Sequence, residues 1–74
     1  MIITGNKVEL HRMKKGWSQR DLSEKTGINT AVISQIERGK RKPQPRTAFR
    51  ICEALEVDFE ELFFVEIPGR KEAQ

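Results

Sequence analysis

Four residues, Thr30, Ala31, Ser34 and Gln35, fall three and four positions apart and so share one face of any helix that holds them. Their chemistry is recognition, not catalysis. The Gln35 amide offers a donor and an acceptor together, Thr30 and Ser34 offer hydroxyls, and Thr30 and Ala31 offer methyl groups. On the opposite side of the same helix, Val32, Ile33 and Ile36 form an apolar stripe for a core. A helix with one buried face and one face of short readers fits the major groove of duplex DNA. There an amide can pair with adenine, and methyl groups can pack on thymine methyls. Catalytic chemistry has little to work with. The chain holds one histidine (His11), one cysteine (Cys52) and no tyrosine, with no glycine-rich phosphate cradle and no paired acid and base. A single cysteine also excludes an internal disulfide and a multi-thiolate metal site. No catalytic residue, metal site, cofactor or small-molecule ligand is expected.

The reading helix needs elements to position it, and the flanking residues supply start and stop signals. Ser18 can accept orphan N–H groups at the head of a preceding helix, and Asp21, three residues on, completes a capping-box pair. Gly27 suits the left-handed turn that ends that helix. Ile28 returns to the core, Asn29 caps the second helix and Gly39 stops it, giving a recognition helix over about 29–38. Charge is then strongly polarised. Residues 38–50 hold six bases (Arg38, Lys40, Arg41, Lys42, Arg46 and Arg50) and no acid. Residues 51–68 hold six acids (Glu53, Glu56, Asp58, Glu60, Glu61 and Glu66) and no base. Charge runs alone read as solvated surface, but directly after a reading helix the basic run points to phosphate contact.

The strings Ser18-Gln19-x-x-Leu22, Gly27-Ile28 and Ile33-Ser34-x-Ile36-Glu37-Arg38-Gly39-Lys40-x-x-Pro43 closely resemble the lambda-repressor/Cro-like (XRE-type) helix-turn-helix DNA-binding family. The resemblance runs from about Val8 to Leu62. It implies an all-α fold, a compact five-helix domain with the helix-turn-helix at its second and third helices, and a double-stranded DNA partner. Thr30, Ala31, Ser34 and Gln35 become the base readers. Ser18, Gln19, Arg38, Lys40, Arg41 and Lys42 become the phosphate contacts. The family also pairs an arginine, here Arg12, with the glutamate of the Ile-Glu-Arg-Gly string, here Glu37, as a structural ion pair. Two positions depart from the family pattern: His11 stands where an aliphatic residue is usual and Ser23 where alanine is usual, while Trp17 fills a usually apolar position as a core or domain-edge plug. Serine is small enough for the close helix approach and can bond back to its own helix backbone.

Along the chain, residues 1–5 are an N-terminal arm or short strand, 6–63 the helix-turn-helix domain and 64–74 a C-terminal extension ending in a frayed tail. Residues 6–15 read as the first helix, capped by Asn6, with Val8, Leu10 and Met13 as its apolar members. Residues 46–55 read as the fourth, with Ala48, Ile51, Cys52 and Leu55 inward and Cys52 a buried, inert thiol. Residues 57–63 read as a fifth, capped by Asp58 with Glu61. The apolar start at Ile2 and Ile3 either folds onto the core or forms an edge strand pairing with residues 64–67, within one chain or across two. Ile3, Phe63, Phe64, Val65 and Ile67 make a cluster larger than a small monomer needs, a candidate homodimer surface whose rival role is to cap a monomer's core. A chain of this length buries about 60% of its unfolded surface and carries roughly 3–5 kcal/mol of stability. With no signal peptide and no membrane span, the expected location is the cytoplasm of a bacterial or phage system. The expected function is a sequence-specific regulator, a repressor acting as a dimer on a pseudo-palindromic operator. The alternatives are an antitoxin of the same fold that binds a toxin and represses its own promoter, and a protein-interaction module that does not bind DNA.

Overall fold

A computed structural model describes residues 2–67. The elements run β1 (Ile2–Asn6), α1 (Val8–Lys14), α2 (Gln19–Thr26), α3 (Thr30–Glu37), α4 (Pro45–Leu55), α5 (Phe59–Leu62) and β2 (Phe63–Glu66). The expected tail at residues 68–74 lies outside the described residues.

The boundaries follow from local chemistry. Ser18 Oγ accepts the Asp21 amide at 3.0 Å while the Ser18 amide donates to Asp21 Oδ2 at 2.8 Å, closing the capping box that starts α2. Gly27 ends α2 with φ at +76°, where a Cβ would crowd the following carbonyl, and its amide donates to the Ser23 carbonyl at 2.8 Å. Asn29 Oδ1 accepts the Ala31 amide at 2.7 Å to start α3. Pro45 opens α4, needing no hydrogen-bond partner there and having its φ already set for a helix. At α5 the Asp58 amide donates to Glu61 Oε1 at 3.3 Å.

Val8, Leu22, Ile33, Ile36, Ile51 and Leu62 are fully buried. Ile28, Ala48, Cys52 and Leu55 complete the helical part of this core, with Trp17, Val32 and Phe59 packed on its margin. The antiparallel pair β1–β2 closes it within one chain. Ile3 lies opposite Val65 and Gly5 opposite Phe64, with an irregularity between Ile3 and Gly5. Gly5 permits the close approach: a Cβ there would stand 3.0 Å from the Phe64 ring. The N-terminal run is thus a strand paired with the chain's other end.

Several expectations need correction. Ile3 and Phe63 are buried in their own chain, so neither is available to a dimer face. They form the inward face of the sheet, the place where a two-stranded ribbon meets the core. Leu10 and Met13 are 53% and 62% exposed. Helix α1 is only seven residues long, and it turns Val8 and Arg12 inward instead. Asn6 belongs to β1, one position ahead of the helix cap at Lys7. Its side chain still serves α1, because Asn6 Oδ1 accepts the Val8 amide at 3.0 Å. The fifth helix is a single turn, since Phe63 already has extended backbone. Ser23 Oγ donates across the turn to the Ile28 carbonyl, not back to its own helix. Thr26 takes the local bond to the Leu22 carbonyl at 2.8 Å.

Candidate nucleic-acid interface

Helix α3 turns Ile33 and Ile36 into the core and leaves Thr30, Ala31 and Gln35 exposed, with Ser34 half-buried at the edge of the row. The four expected readers are therefore on one side of one helix. Asn29 is occupied as the cap of α3. Beyond α3 the chain folds back on itself: the Gly39 amide donates to the Ile36 carbonyl at 3.0 Å, and the amides of Lys40 and Arg41 both donate to the Gln35 carbonyl, at 2.8 and 3.2 Å. This clasp satisfies carbonyls that a helix end leaves open. It also brings Arg38, Lys40, Arg41 and Lys42, all exposed, beside the end of the reader row. Pro43 is buried and anchors the far side of the loop.

At the head of α2, Ser18 holds Asp21. The Ser18 amide and hydroxyl keep the Asp21 carboxyl below its ordinary value of 3.8. A carboxyl lowered in the folded state contributes stability above its unfolded value and loses it as pH falls through the folded one. The stability difference between the native chain and Asp21→Asn is expected to be constant above about pH 5 and to close below about pH 4, read as urea midpoints across a pH series. The amides of Gln19 and Arg20, the first of the helix, have no partner available within it.

Behind these surfaces sits one buried carboxylate. Arg12 Nε donates to Glu37 Oε2 at 2.8 Å and its terminal nitrogen to Oε1 at 3.2 Å, with the Arg12 side chain 10% and the Glu37 side chain 2% exposed. Arg12 also donates to the Trp17 carbonyl at 2.7 Å. The hydrogen bond to Glu37 holds the Arg12 guanidinium above its ordinary range against the opposing effect of burial. Gln19 Nε2 donates to Glu37 Oε1 at 2.9 Å. One carboxylate thus ties α1, α2 and α3 together, and the Gln19 amide is turned inward through one of its two N–H groups. Asn6 adds a further tie, donating from Nδ2 to the Ile36 carbonyl at 2.9 Å. No buried side-chain polar atom among the described residues lacks a partner.

The remaining titratable candidates lie apart from this surface. Cys52 is buried in α4, and burial pushes its thiol up, away from nucleophilic character. His11 is half-buried on α1. Trp17 packs on the core margin with the Lys15 and Lys25 ammonium groups 5.4 and 5.1 Å from its ring centroid, so its ring is already covered by cations. Among the described residues no group of three His, Cys, Asp or Glu side chains could hold a metal ion, and no helix is long and apolar enough to cross a membrane.

The interactions that escaped sequence reasoning include Gln19 to Glu37, and Arg41 Nε to Gln35 Oε1 at 2.8 Å. The second had a legible trace. Gly39 forces a reversal straight after the helix, which returns a long side chain at 41 toward the last turn of α3.

Helical readers, a tight turn behind them and a basic loop beside them define the helix-turn-helix class of DNA-binding transcription regulators. The chain belongs to the helix-turn-helix family HTH_3, which matches residues 8–62. It is similar to the HTH-type transcriptional regulator YgzD of Bacillus subtilis (strain 168), 34% identical over 61 residues that cover 82% of this chain and 92% of that protein. It is similar also to the antitoxin HipB of Escherichia coli (strain K12), 36% identical over 52 residues, covering 70% of this chain and 59% of that one. Among solved structures, the restriction-modification controller protein C.Esp1396I, seen as a tetramer in complex with its natural 35-base-pair operator, superposes with a TM-score of 0.67 at 33% identity. That match covers 73% of this chain and 75% of the controller chain.

Proposed function

We propose that the chain is a sequence-specific repressor that binds a pseudo-palindromic operator as a homodimer. The observation that carries this reading is the solvent-facing row Thr30, Ala31, Ser34 and Gln35, flanked by the basic loop of Arg38, Lys40, Arg41 and Lys42. The start of α3 enters the major groove and the row meets base edges. The loop grips phosphates on one flank while Ser18, Gln19 and the first amides of α2 grip them on the other, setting register without reading sequence. Arg12 and Glu37 stand outside the contact set and hold the three helices at a fixed angle. Duplication supports the affinity that one small unit lacks. Two-fold pairing sets the recognition helices about 34 Å apart, one turn of DNA. With Ile3 and Phe63 committed to the core, the dimer surface is the apolar remainder left exposed around the strand pair, Phe64, Val65 and Ile67, joined by Ile2; Phe64 is 51% exposed. Repression follows by occlusion of the promoter, in the cytoplasm where the operator lies.

A second reading, the antitoxin, is favoured by the similarity to HipB. In it the same DNA face represses the chain's own promoter and another surface takes a toxin.

The test is binding to mixed duplex DNA across a salt series, for the native chain and Gln35→Ala. Affinity is expected to fall steeply and linearly on a log–log plot, and the alanine variant to discriminate less among sequences, by about tenfold at one base pair. A native chain without salt-dependent DNA affinity at low ionic strength would remove the regulator reading.

A further inference from the structure

We infer that the outer edge of β2 is the seam of the homodimer. There Val65 pairs with the same residue of a second copy, and the two ribbons join into one four-stranded antiparallel sheet. The inference rests on the homodimer proposed above and assigns how its two copies meet.

A two-stranded sheet has two open edges, and in this chain they differ. Along β1, Thr4 to Asn6 face Gly39 and Pro43 of the basic loop across a small cleft, and Asn6 Nδ2 donates to the Ile36 carbonyl at 2.9 Å. That edge is closed. On β2, Phe64, Val65 and Glu66 are all exposed, and among the described residues no loop or turn backbone bonds to them. Backbone groups along a strand point alternately to its two sides. The Phe64 carbonyl accepts from the Thr4 hydroxyl at 3.2 Å and so points toward β1. Phe63 points the other way, since its amide donates to the Phe59 carbonyl of α5. Val65, two positions on, shares that direction, which leaves its amide and carbonyl at the open edge. Unpaired strand groups of this kind are a template for another strand.

The side chains fit the same occupant. Phe63 is 2% exposed on the core side of β2, while Val65 and Ile67, at alternate positions on that same side, are each 37% exposed. The core face of the strand thus runs on past the core that covers it. Antiparallel pairing of Val65 with the partner's Val65 sets the partner's Ile67 beside Phe63 and the partner's Glu66 beside Phe64. The inward apolar row then continues from one core to the other. On the outward side, Lys7 Nζ stands 5.5 Å from the centroid of the Phe64 ring. Among the described residues neither Lys7 nor Glu66 is in an ion pair of its own chain. The pairing brings the charge of Lys7 toward that of the partner's Glu66, once at each end of the seam.

Sedimentation equilibrium of the full chain reads the dimer constant for the native protein, Val65→Pro, Lys7→Glu and Glu66→Lys. Proline at 65 removes an outward N–H and leaves the bonds to β1, so the fold, followed by circular dichroism, is expected to persist while dimerisation weakens by at least about tenfold. Each charge reversal sets like charges across the seam and is expected to weaken dimerisation about fivefold. An equimolar mixture of the two reversed chains restores opposite charges at both ends, and is expected to recover the native constant to within about twofold. A contact inside one chain gives no recovery on mixing. Should the proline chain unfold, the mixing result alone decides. Charge reversals without effect, no recovery on mixing, or a folded proline chain with native dimerisation each overturns the inference and leaves the homodimer to another surface. A native chain that stays monomeric at every concentration, alone and on duplex DNA, overturns the homodimer as well.

Discussion

Glu37→Ala is expected to lower the stability of the chain by about 3–5 kcal/mol, the cost of stranding a buried charge by removing its partner. Arg12 cannot shed its proton, so the variant must hold a guanidinium, 10% exposed in the native chain, with only the Trp17 carbonyl and a distant Glu9, 4.0 Å away and on the surface. Gln19 loses its acceptor as well. A domain of this size has roughly 3–5 kcal/mol in total, so the variant should sit near its unfolding midpoint at 25 °C. Urea denaturation followed by circular dichroism reads the loss. Replacing both partners with apolar residues of similar size, Arg12→Met with Glu37→Leu, is expected to recover more than half of it, since no charge is then left buried. That recovery separates a stranded charge from simple loss of packing. A cost below about 1 kcal/mol for Glu37→Ala would place the pair among solvent-screened surface bridges and remove its role as the brace between α1 and α3.

What was legible in the sequence is what local chemistry decides. Ser18 with Asp21, Gly27, Asn29 and Pro45 each act within one turn of their own position, and the helix boundaries around the reading helix follow from them. The reader face was legible for the same reason, because a run of eight residues with three aliphatics on one stripe has one way to face a core. The opening strand was harder. Its partner lies about sixty residues away, and an apolar run of three or four residues fits a strand or a packed arm equally well. Ile3 and Phe63 looked like spare apolar surface until pairing turned them inward. Leu10 and Met13 misled in the opposite direction: on a helix of barely two turns, the buried face is set by where Arg12 must go, and the hydrophobic pattern is too short to say. Side-chain hydrogen bonds between elements depend on loop course and rotamer: Gln19 to Glu37 left no trace in the spacing, and Arg41 to Gln35 left only the reversal at Gly39.

Simultaneous removal of Arg38, Lys40 and Lys42 by alanine is expected to reduce the salt slope of DNA binding by about three, since each phosphate contact releases close to one counterion. Between 50 and 200 mM salt the native chain should then lose about 40-fold more affinity than the triple variant. All three side chains are exposed, and folding should change by less than about 0.5 kcal/mol. The preference among sequences should survive, because phosphate contacts fix register and carry no base information. Arg41 is left in place so that its hydrogen bond to Gln35 remains. The matched control removes Lys7, Lys14 and Lys15, an identical change in net charge made on and around α1. That control separates two accounts of the same electrostatics. If the loop is the phosphate clamp, the control should lower the slope by less than about one. If both triples lower it equally, DNA responds to the overall positive charge of the chain, and the polarity between residues 38–50 and 51–68 serves solubility instead of docking.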